Sequence, residues 1–295
     1  MYIVDLFRRV TRKSNIPVFI YLVLNTFVIC SIFVLLFTIN DFMETWQAIL
    51  CGLGAYLFSL MIALSPIGEF FLRVFNGCDR IERLDHQAFI MPIFNEVYAK
   101  ARQNDPGISD KVELFISEDE SANAFALGRK TICITQGMMN RPVEEIKAVL
   151  AHEFGHISHK DTDLILLVTM GNFFVTAFIT IVKILIGIIR FIAFCDRSGS
   201  TPFIASTLSL ILVDFVMFIW TTIGTLIVFK SSRANEYEAD MFAYKLGYGN
   251  ALCAFLDSSA CKSTGRPKGL FGRLMSSHPK TNSRIARLQV VTNNF

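Results

Sequence analysis

The sequence of 295 residues is 53% hydrophobic and only 18% charged, and it contains 28 phenylalanines, a composition typical of a membrane protein. Its net charge of +3 is small and is partly explained by basic residues that flank apolar stretches, so we expect no nucleic-acid partner. The seven cysteines are scattered and form no CxxC pair, which argues against a disulfide framework.

Two apolar stretches come first in the chain, Ile16 to Phe37 and Trp46 to Leu72. Each supplies the 20 or so residues that cross about 30 Å of hydrocarbon as a helix. The first stretch is too long for a signal peptide and no small-residue cleavage site follows it, so we expect it to be retained. Two further apolar runs, Leu164 to about Phe194 and Phe203 to Phe229, are separated by the polar turn CDRSGSTP. We therefore predict four transmembrane helices in two hairpins.

The polar residues between and after the hairpins are numerous enough to form one compact soluble domain. Four segments are predicted: a transmembrane hairpin in residues 1–75, the first part of the soluble domain in 76–162, a second hairpin in 163–230 and the remainder of the soluble domain in 231–295. Lys183 and Arg190 interrupt the first arm of the second hairpin, so whether it crosses fully is left open. Because charges inside a membrane usually pair, we expect Lys183 to meet Asp214 in a structural role.

The basic residues predict the orientation of the hairpins. The turn of the first hairpin has no lysine or arginine, and the turn of the second has only Arg197. Basic residues concentrate instead at the other ends: Arg8, Arg9, Arg12, Lys13, Arg73, Arg80, Arg83, Lys160, Lys230 and Arg233. Since positive residues mark the cytoplasmic side, both termini and the soluble domain should be cytoplasmic.

The first part of the soluble domain begins with a predicted helix over residues 81–103, which stops at the breaker NDPG. The segments KVELFIS, ANAFALG and KTICITQG are short and β-branched or alternating, so they predict a small antiparallel sheet with a hairpin at Gly128. A second helix is predicted to open with Pro142 in its first turn and to run through His159.

Three more helices are predicted after the fourth apolar run. The segment SSRANEYEADMFAYKLG forms the first, which Ser231 or Ser232 could cap and Gly247 ends. A short helix from about Asn250 and a final helix around Arg284 to Val290 complete the chain.

The helix that ends near His159 carries the motif HExxH. His152 and His156 are four residues apart, so their rings project from one helix face about 6 Å apart along the axis and can share one ion. Glu153 can reach the open side of that ion, where it would accept a proton from water rather than serve as a ligand. The alternative is a chance HExxH on a solvated helix face, which the helical context disfavours.

A catalytic zinc ion usually has three protein ligands and a water molecule. His159 cannot be the third ligand, because it lies about 10 Å along the axis from His152, and we expect it to be an interfacial polar residue. In NEYEAD, Glu236 and Asp240 are four residues apart on one helix face, whereas Glu238 points away. Glu236 could therefore bind the ion while Asp240 accepts the N–H of a ligand histidine. The alternative for these acids is a solvated face paired with Arg233, and for Glu238 it is the one we favour.

Four segments occur in an order that resembles the HtpX-like membrane zinc endopeptidases, which are related to the CaaX prenyl endopeptidases. They are NAFALG, AVLAHEFGHISHKD, SRANEYEAD and LMSSHPKTNSRIARL, and the resemblance covers nearly the whole chain. It implies the same roles as the spacing: zinc ligands His152, His156 and Glu236, the general base Glu153, and Asp240 behind a ligand histidine.

The resemblance also implies roles that spacing alone does not. It identifies an edge strand along which an extended substrate would pair, Asn123, Ala124, Phe125 and Ala126. His278 could stabilise the tetrahedral oxyanion, and the alternative is an ordinary loop histidine before a proline. Asp161 is expected to be a structural group at a helix end. Leu127 and Asn235 depart from the family pattern, which puts the substrate preference in doubt but not the chemistry.

The sequence therefore predicts a mainly α-helical integral membrane protein with four transmembrane helices and a cytoplasmic, zincin-like α+β protease domain holding one Zn2+ per subunit. The resemblance implies a bacterial inner-membrane enzyme whose substrates are misfolded or damaged membrane proteins. The alternatives are a processing protease for lipidated or membrane peptides and a non-catalytic zinc-binding scaffold. Glu153 argues against a scaffold, because a purely structural site has no use for an acid beside an open coordination position.

Overall fold

The computed structural model describes residue 11 and residues 15–38, 42–195, 211, 215, 218–224, 235–260 and 281–293. The chain divides into two compact units. One, from 17–68 and 166–227, holds most of each long apolar helix and is named the membrane unit, and the other, chiefly from 69–165 and 228–295, holds the sheet and is named the soluble unit. The helices are α1 (Ile16–Thr38), α2 (Thr45–Ala63), α3 (Pro66–Phe75), α4 (Leu84–Asn104), α5 (Val143–Ser158), α6 (Asp161–Ile165), α7 (Gly171–Cys195), α8 (235–245), α9 (Gly249–Ala260) and α10 (Thr281–Asn293). A π-helical turn, Leu166–Met170, joins α6 to α7. The strands are β1 (Asp79–Arg80), β2 (Glu113–Ser117), β3 (Ala124–Leu127) and β4 (Thr131–Thr135).

Three helices among the described residues are long and apolar enough to cross a membrane: Ile16–Thr38, Thr45–Ala63 and Asp161–Leu185. Most of the predicted fourth span lies outside the described residues, although residues 218–224 are helical. A count of four spans and the cytoplasmic orientation therefore remain predictions.

The second apolar stretch is divided into two helices, so the expectation of one span as far as Leu72 is wrong. α2 ends at Ala63 and α3 begins at Pro66, a residue suited to a first helical turn because its missing N–H needs no partner there. The hydroxyl of Ser65 accepts the N–H of Ile67 at 3.1 Å and so caps α3. The whole stretch is apolar, but the short sequence of Ser65 and Pro66 separates the end of α2 from the start of α3.

Buried polar side chains join the helices of the membrane unit. The Asn25 amide donates to the Asn172 side-chain oxygen at 2.8 Å, and Asn172 donates to the Tyr21 hydroxyl at 2.7 Å. The indole N–H of Trp220 donates to Asn25 at 2.7 Å. These bonds satisfy polar groups that water could not reach in a bilayer. Lys183 is buried in the same unit, whereas Asp214 lies outside the described residues, so their pairing remains a prediction.

The sheet of the soluble unit is mixed, with the strand order β1-β2-β4-β3. β4 pairs antiparallel with β3 but parallel with β2, so the prediction of an antiparallel sheet is wrong for the central pair. The hairpin turn at Gly128 is confirmed, and its φ of +66° explains the glycine. The chain crosses from β2 to the far edge before the hairpin returns β4 beside β2, which makes those two strands run in the same direction.

Helix α5 lies in the core of the soluble unit. Its first turn contains Glu144 and Glu145, while Pro142 occupies the N-cap position just before that turn. The ring of Phe154 packs 5.7 Å from Phe94 and 5.4 Å from Tyr98 on α4. These aromatic contacts fix one side of α5 and leave its histidine face for α8.

Candidate metal centre

The two predicted ligand helices meet at a close backbone contact. A Cβ added at Gly155 would lie only 2.8 Å from the Cα of Ala239, so only glycine lets α5 and α8 approach to this distance. The contact lies one residue from His156 and three from Glu236. It therefore brings the histidine face of α5 against the acidic face of α8.

Three buried side chains converge where these helices meet. The Nε2 atoms of His152 and His156 are 3.2 Å apart, and each lies 3.5 Å from a carboxylate oxygen of Glu236. Ligand atoms about 2.0–2.1 Å from an ion in a tetrahedral arrangement lie about 3.3 Å from one another. The nitrogen and oxygen atoms are those that zinc prefers, so this donor set fits a zinc ion.

A carboxylate lies behind each histidine. The Nδ1 atom of His152 is 2.9 Å from Asp240, and that of His156 is 3.0 Å from Asp161. A hydrogen bond at Nδ1 leaves the Nε2 lone pair directed at the ion. Asp240 lies where the sequence placed it, but the purely structural role expected for Asp161 is incomplete, because it contacts a ligand histidine. The turn at Lys160, whose φ is +58°, carries Asp161 back to α5, and no spacing rule shows such a reversal.

The surroundings of the two histidines favour a positive charge. Burial disfavours the charged imidazole of His152, but Asp240 and Glu236 outweigh it and raise the pKa of His152. Burial also disfavours the charged imidazole of His156, but Asp161 and Glu236 outweigh it and raise the pKa of His156 well above the usual value. A divalent cation bound at this place would supply the positive charge that these carboxylates favour, without protonation of the imidazoles.

Arg284 on α10 is a site residue that spacing did not identify. Its Nε and Nη2 groups donate to the two carboxylate oxygens of Asp240 at 2.8 and 2.6 Å, and Nη1 lies 3.2 Å from Glu236. Although burial opposes ionisation, Arg284 and His152 lower the pKa of Asp240 to about 2. One signal could have found this residue: Arg284 and Leu288 are four apart on the buried face of α10.

Glu153 connects the metal centre to the edge strand. One of its carboxylate oxygens accepts the N–H of Ala126 at 2.9 Å. Asn123 is bonded to β4, since its carbonyl accepts the Thr135 N–H at 3.0 Å and its own N–H donates to the Thr135 hydroxyl. Along a strand the backbone N–H and C=O groups of successive residues point to opposite edges. Those of Phe125 therefore also point toward β4, while those of Ala124 and Ala126 point to the open edge. Only two of the four predicted substrate residues therefore present their backbone at the open edge.

The remaining predicted site residues fall into two groups. His159 caps the C-terminus of α5 with its ring centroid 6.2 Å from that of Phe242. Among the described residues, the group that could hold an ion comprises His152, His156 and Glu236 and includes neither His159 nor the half-buried Glu238. His278 and Arg233 lie outside the described residues, and the role of His278 remains a prediction.

Comparisons with known proteins find relatives of this chain in sequence and in fold. Protease HtpX from Chromohalobacter salexigens is 29% identical over 199 residues, which cover 60% of this chain and 65% of that protein. A Protease HtpX homolog from Lactobacillus acidophilus is 27% identical over 274 residues, or 83% of this chain and 86% of the relative. The crystal structure of S. mikatae Ste24p superposes with a TM-score of 0.50 at 20% identity, covering 88% of this chain and 61% of that one, and so is similar in fold.

A family model connects the two parts of the site. The model of peptidase family M48 matches residues 87–292, a range that contains both histidines of the HExxH motif, Glu236 and Arg284. This range makes up most of the 295 residues, and the chain belongs to peptidase family M48.

Proposed function

We propose that the chain is a zinc-dependent endopeptidase of a bacterial inner membrane, with its active site on the cytoplasmic side, that cleaves misfolded or damaged membrane proteins. The observation that carries this proposal is the position of Glu153, which directly follows the candidate ligand His152 in α5 and whose carboxylate accepts the N–H of Ala126 on β3. The names of the two HtpX relatives support proteolysis, and the three apolar helices support a membrane location.

Each step of hydrolysis has a residue suited to it. Zinc held by His152, His156 and Glu236 would polarise the scissile carbonyl and make the attacking water more acidic. Glu153 would accept the proton of that water and return it to the leaving amine, so no covalent intermediate is needed. Asp161 and Asp240 would hold the two ligand rings in one tautomer.

The edge strand would position the substrate. An extended peptide can add to β3 through the outward backbone groups of Ala124 and Ala126, because β3 ends the sheet. The Ala126 N–H is bonded to Glu153, so a bound peptide would compete with the general base for this donor. If the peptide took over the Ala126 N–H, the Glu153 carboxylate would be released for proton transfer beside the bound peptide.

A pair of variants tests the function. Glu153→Gln should retain zinc and lose cleavage of an unfolded membrane-protein substrate, because the amide cannot accept the proton. Glu236→Ala should lower zinc content at limiting metal, whereas the matched Glu238→Ala should not. Zinc is measured by elemental mass spectrometry and cleavage by gel. Continued proteolysis by Glu153→Gln would overturn the mechanism, and equal proteomes of cells with active and Glu153→Gln protein would favour the scaffold alternative.

A further inference from the structure

Helix α3 presents an apolar stripe outward. Ile67, Phe70 and Val74 are 52%, 52% and 55% exposed, and their spacing of three and four residues puts them on one helix face. Glu69 and Leu72 lie on the other side and are buried. Exposed apolar surface costs roughly 25 cal/mol per Å² in water, so a stripe of three large side chains on a ten-residue helix calls for a cover.

The chemistry of that cover follows from the position of α3 in the chain. Only Leu64 and Ser65 separate it from α2, a helix suited to crossing a membrane. α2 itself exposes large apolar side chains, of which Phe58 at 60% is an example, as expected of a lipid-facing helix. The outward stripe of α3 thus begins where the chain leaves the apolar span, and an amphipathic helix in that position suits the headgroup boundary of a bilayer.

The buried face of α3 holds the turn of the β3–β4 hairpin. A carboxylate oxygen of Glu69 accepts the N–H of Arg129 at 2.8 Å. A Cβ at Gly128 would lie 2.5 Å from the Glu69 carboxyl carbon, so the turn and the acid are in direct contact. Arg73, one turn further along α3, donates to the Thr131 hydroxyl at 3.2 Å. Two consecutive turns of α3 therefore bind the hairpin.

Helix α6 holds the same turn from another side. The Thr162 hydroxyl donates to the Gly128 carbonyl at 2.5 Å, and Asp163 pairs with the Arg129 guanidinium at 3.2 Å. The turn is thus fixed by α3, which follows one candidate span, and by α6, which begins another. The strand that leads into this turn, β3, contains Ala126, whose N–H donates to Glu153.

We propose that α3 lies on the bilayer surface through Ile67, Phe70 and Val74 and that Glu69, on its opposite face, is a positioning residue for the edge strand. The membrane contact stands on its own, while the positioning role rests on the proposed function. A substrate strand would then meet β3 at a place set by the lipid surface, which suits chains that emerge from a membrane.

Photo-crosslinking tests the lipid contact. p-Benzoylphenylalanine is placed at position 58, 70 or 89 of the full chain in nanodiscs of phosphatidylethanolamine and phosphatidylglycerol, and adducts are identified by mass spectrometry. Phe58 on α2 is the positive control, and Phe89 on α4, which is 39% exposed, is the matched control outside the predicted spans. Lipid adducts at 58 and 70 but not at 89 are expected. Position 70 giving no lipid adduct, or only a crosslink to a second copy of the chain, would overturn the membrane contact.

Hydrogen exchange and kinetics test the positioning role. Glu69→Ala should speed amide exchange in residues 124–127 and raise KM for an extended peptide roughly tenfold, the loss expected for one hydrogen bond to a charged group, with kcat changed less than twofold. Glu69→Gln retains an acceptor oxygen and should restore most of the KM. Glu118→Ala, at an exposed acid between β2 and β3, should behave as wild type.

The outcomes separate the two proposals. If Glu69→Ala fails to fold, Glu69→Asp, which keeps the charge but withdraws it from Arg129, should show the same faster exchange. Unchanged exchange in β3 with an unchanged KM would overturn the positioning role. An inactive wild-type enzyme would instead contradict the proposed function, and the exchange measurement would still decide whether Glu69 holds the strand.

Discussion

Removing the carboxylate behind His156 should weaken zinc binding by a calculable amount. Asp161 lies 3.0 Å from the His156 Nδ1 atom, and both residues are buried, so bulk water has little access to replace the lost partner. Loss of such a carboxylate behind a ligand histidine typically costs 10- to 100-fold in metal affinity. Because this bond is buried and charge-assisted, we expect Asp161→Ala near the upper limit, about 2.7 kcal/mol. Asp161→Asn keeps an acceptor without the charge and should cost about tenfold.

The assay is competition for zinc between the metal-free protein in detergent and a chromophoric chelator. Asp163→Asn is a matched control, because Asp163 is buried two residues along the same helix and pairs with Arg129 on the hairpin instead. Its zinc affinity should equal that of wild type. The reasoning is refuted if Asp161→Ala binds zinc as tightly as wild type, or if Asp163→Asn loses as much affinity.

Three further predictions follow from packing and charge. Gly155→Ala should lower stability by about 1–3 kcal/mol and reduce zinc content, since its Cβ would lie 2.8 Å from the α8 backbone. Gly54→Ala, with open space around its Cβ, should change neither. Thermal unfolding midpoints and zinc content are measured for both variants. Arg284→Ala leaves the buried Asp240 without its bidentate cation and should destabilise the protein by about 3 kcal/mol, measured in the same way, and a midpoint equal to wild type would contradict it. His159→Ala should keep the full zinc content, and loss of the metal would show that the ligand set is wrong.

The sequence predicted the parts of the centre that helical spacing governs. His152 and His156 share a face because they are four residues apart, and the same rule separated Glu236 and Asp240 from Glu238. The structure brings His152, His156 and Glu236 together, although their binding of zinc remains a proposal. Local chemistry also predicted the hairpin at Gly128, since a positive φ favours glycine.

The missed features depend on contacts between distant residues. The direction of β2 relative to β4 is set by where the chain crosses the sheet. Side chains alternate between the two faces of a strand in the same way whether its neighbour is parallel or antiparallel, so the sequence pattern does not reveal the direction. The break before Pro66 was hidden by apolar residues on both sides, because hydropathy measures composition and not the capping bond of Ser65. Asp161 reaches His156 only through the reversal at Lys160.

Arg284 illustrates why the balance of charge in the centre could not be predicted from spacing. Its partner Asp240 is 44 residues upstream, and the bond exists only because α10 packs close to α8. Among the residues that the structure describes, four carboxylates, those of Glu153, Asp161, Glu236 and Asp240, are buried here with this one guanidinium, which leaves three formal negative charges if the imidazoles are neutral. Burying unbalanced charge is costly, and a dication would reduce the imbalance to one. The metal would thus contribute to the stability of the folded unit as well as to its chemistry.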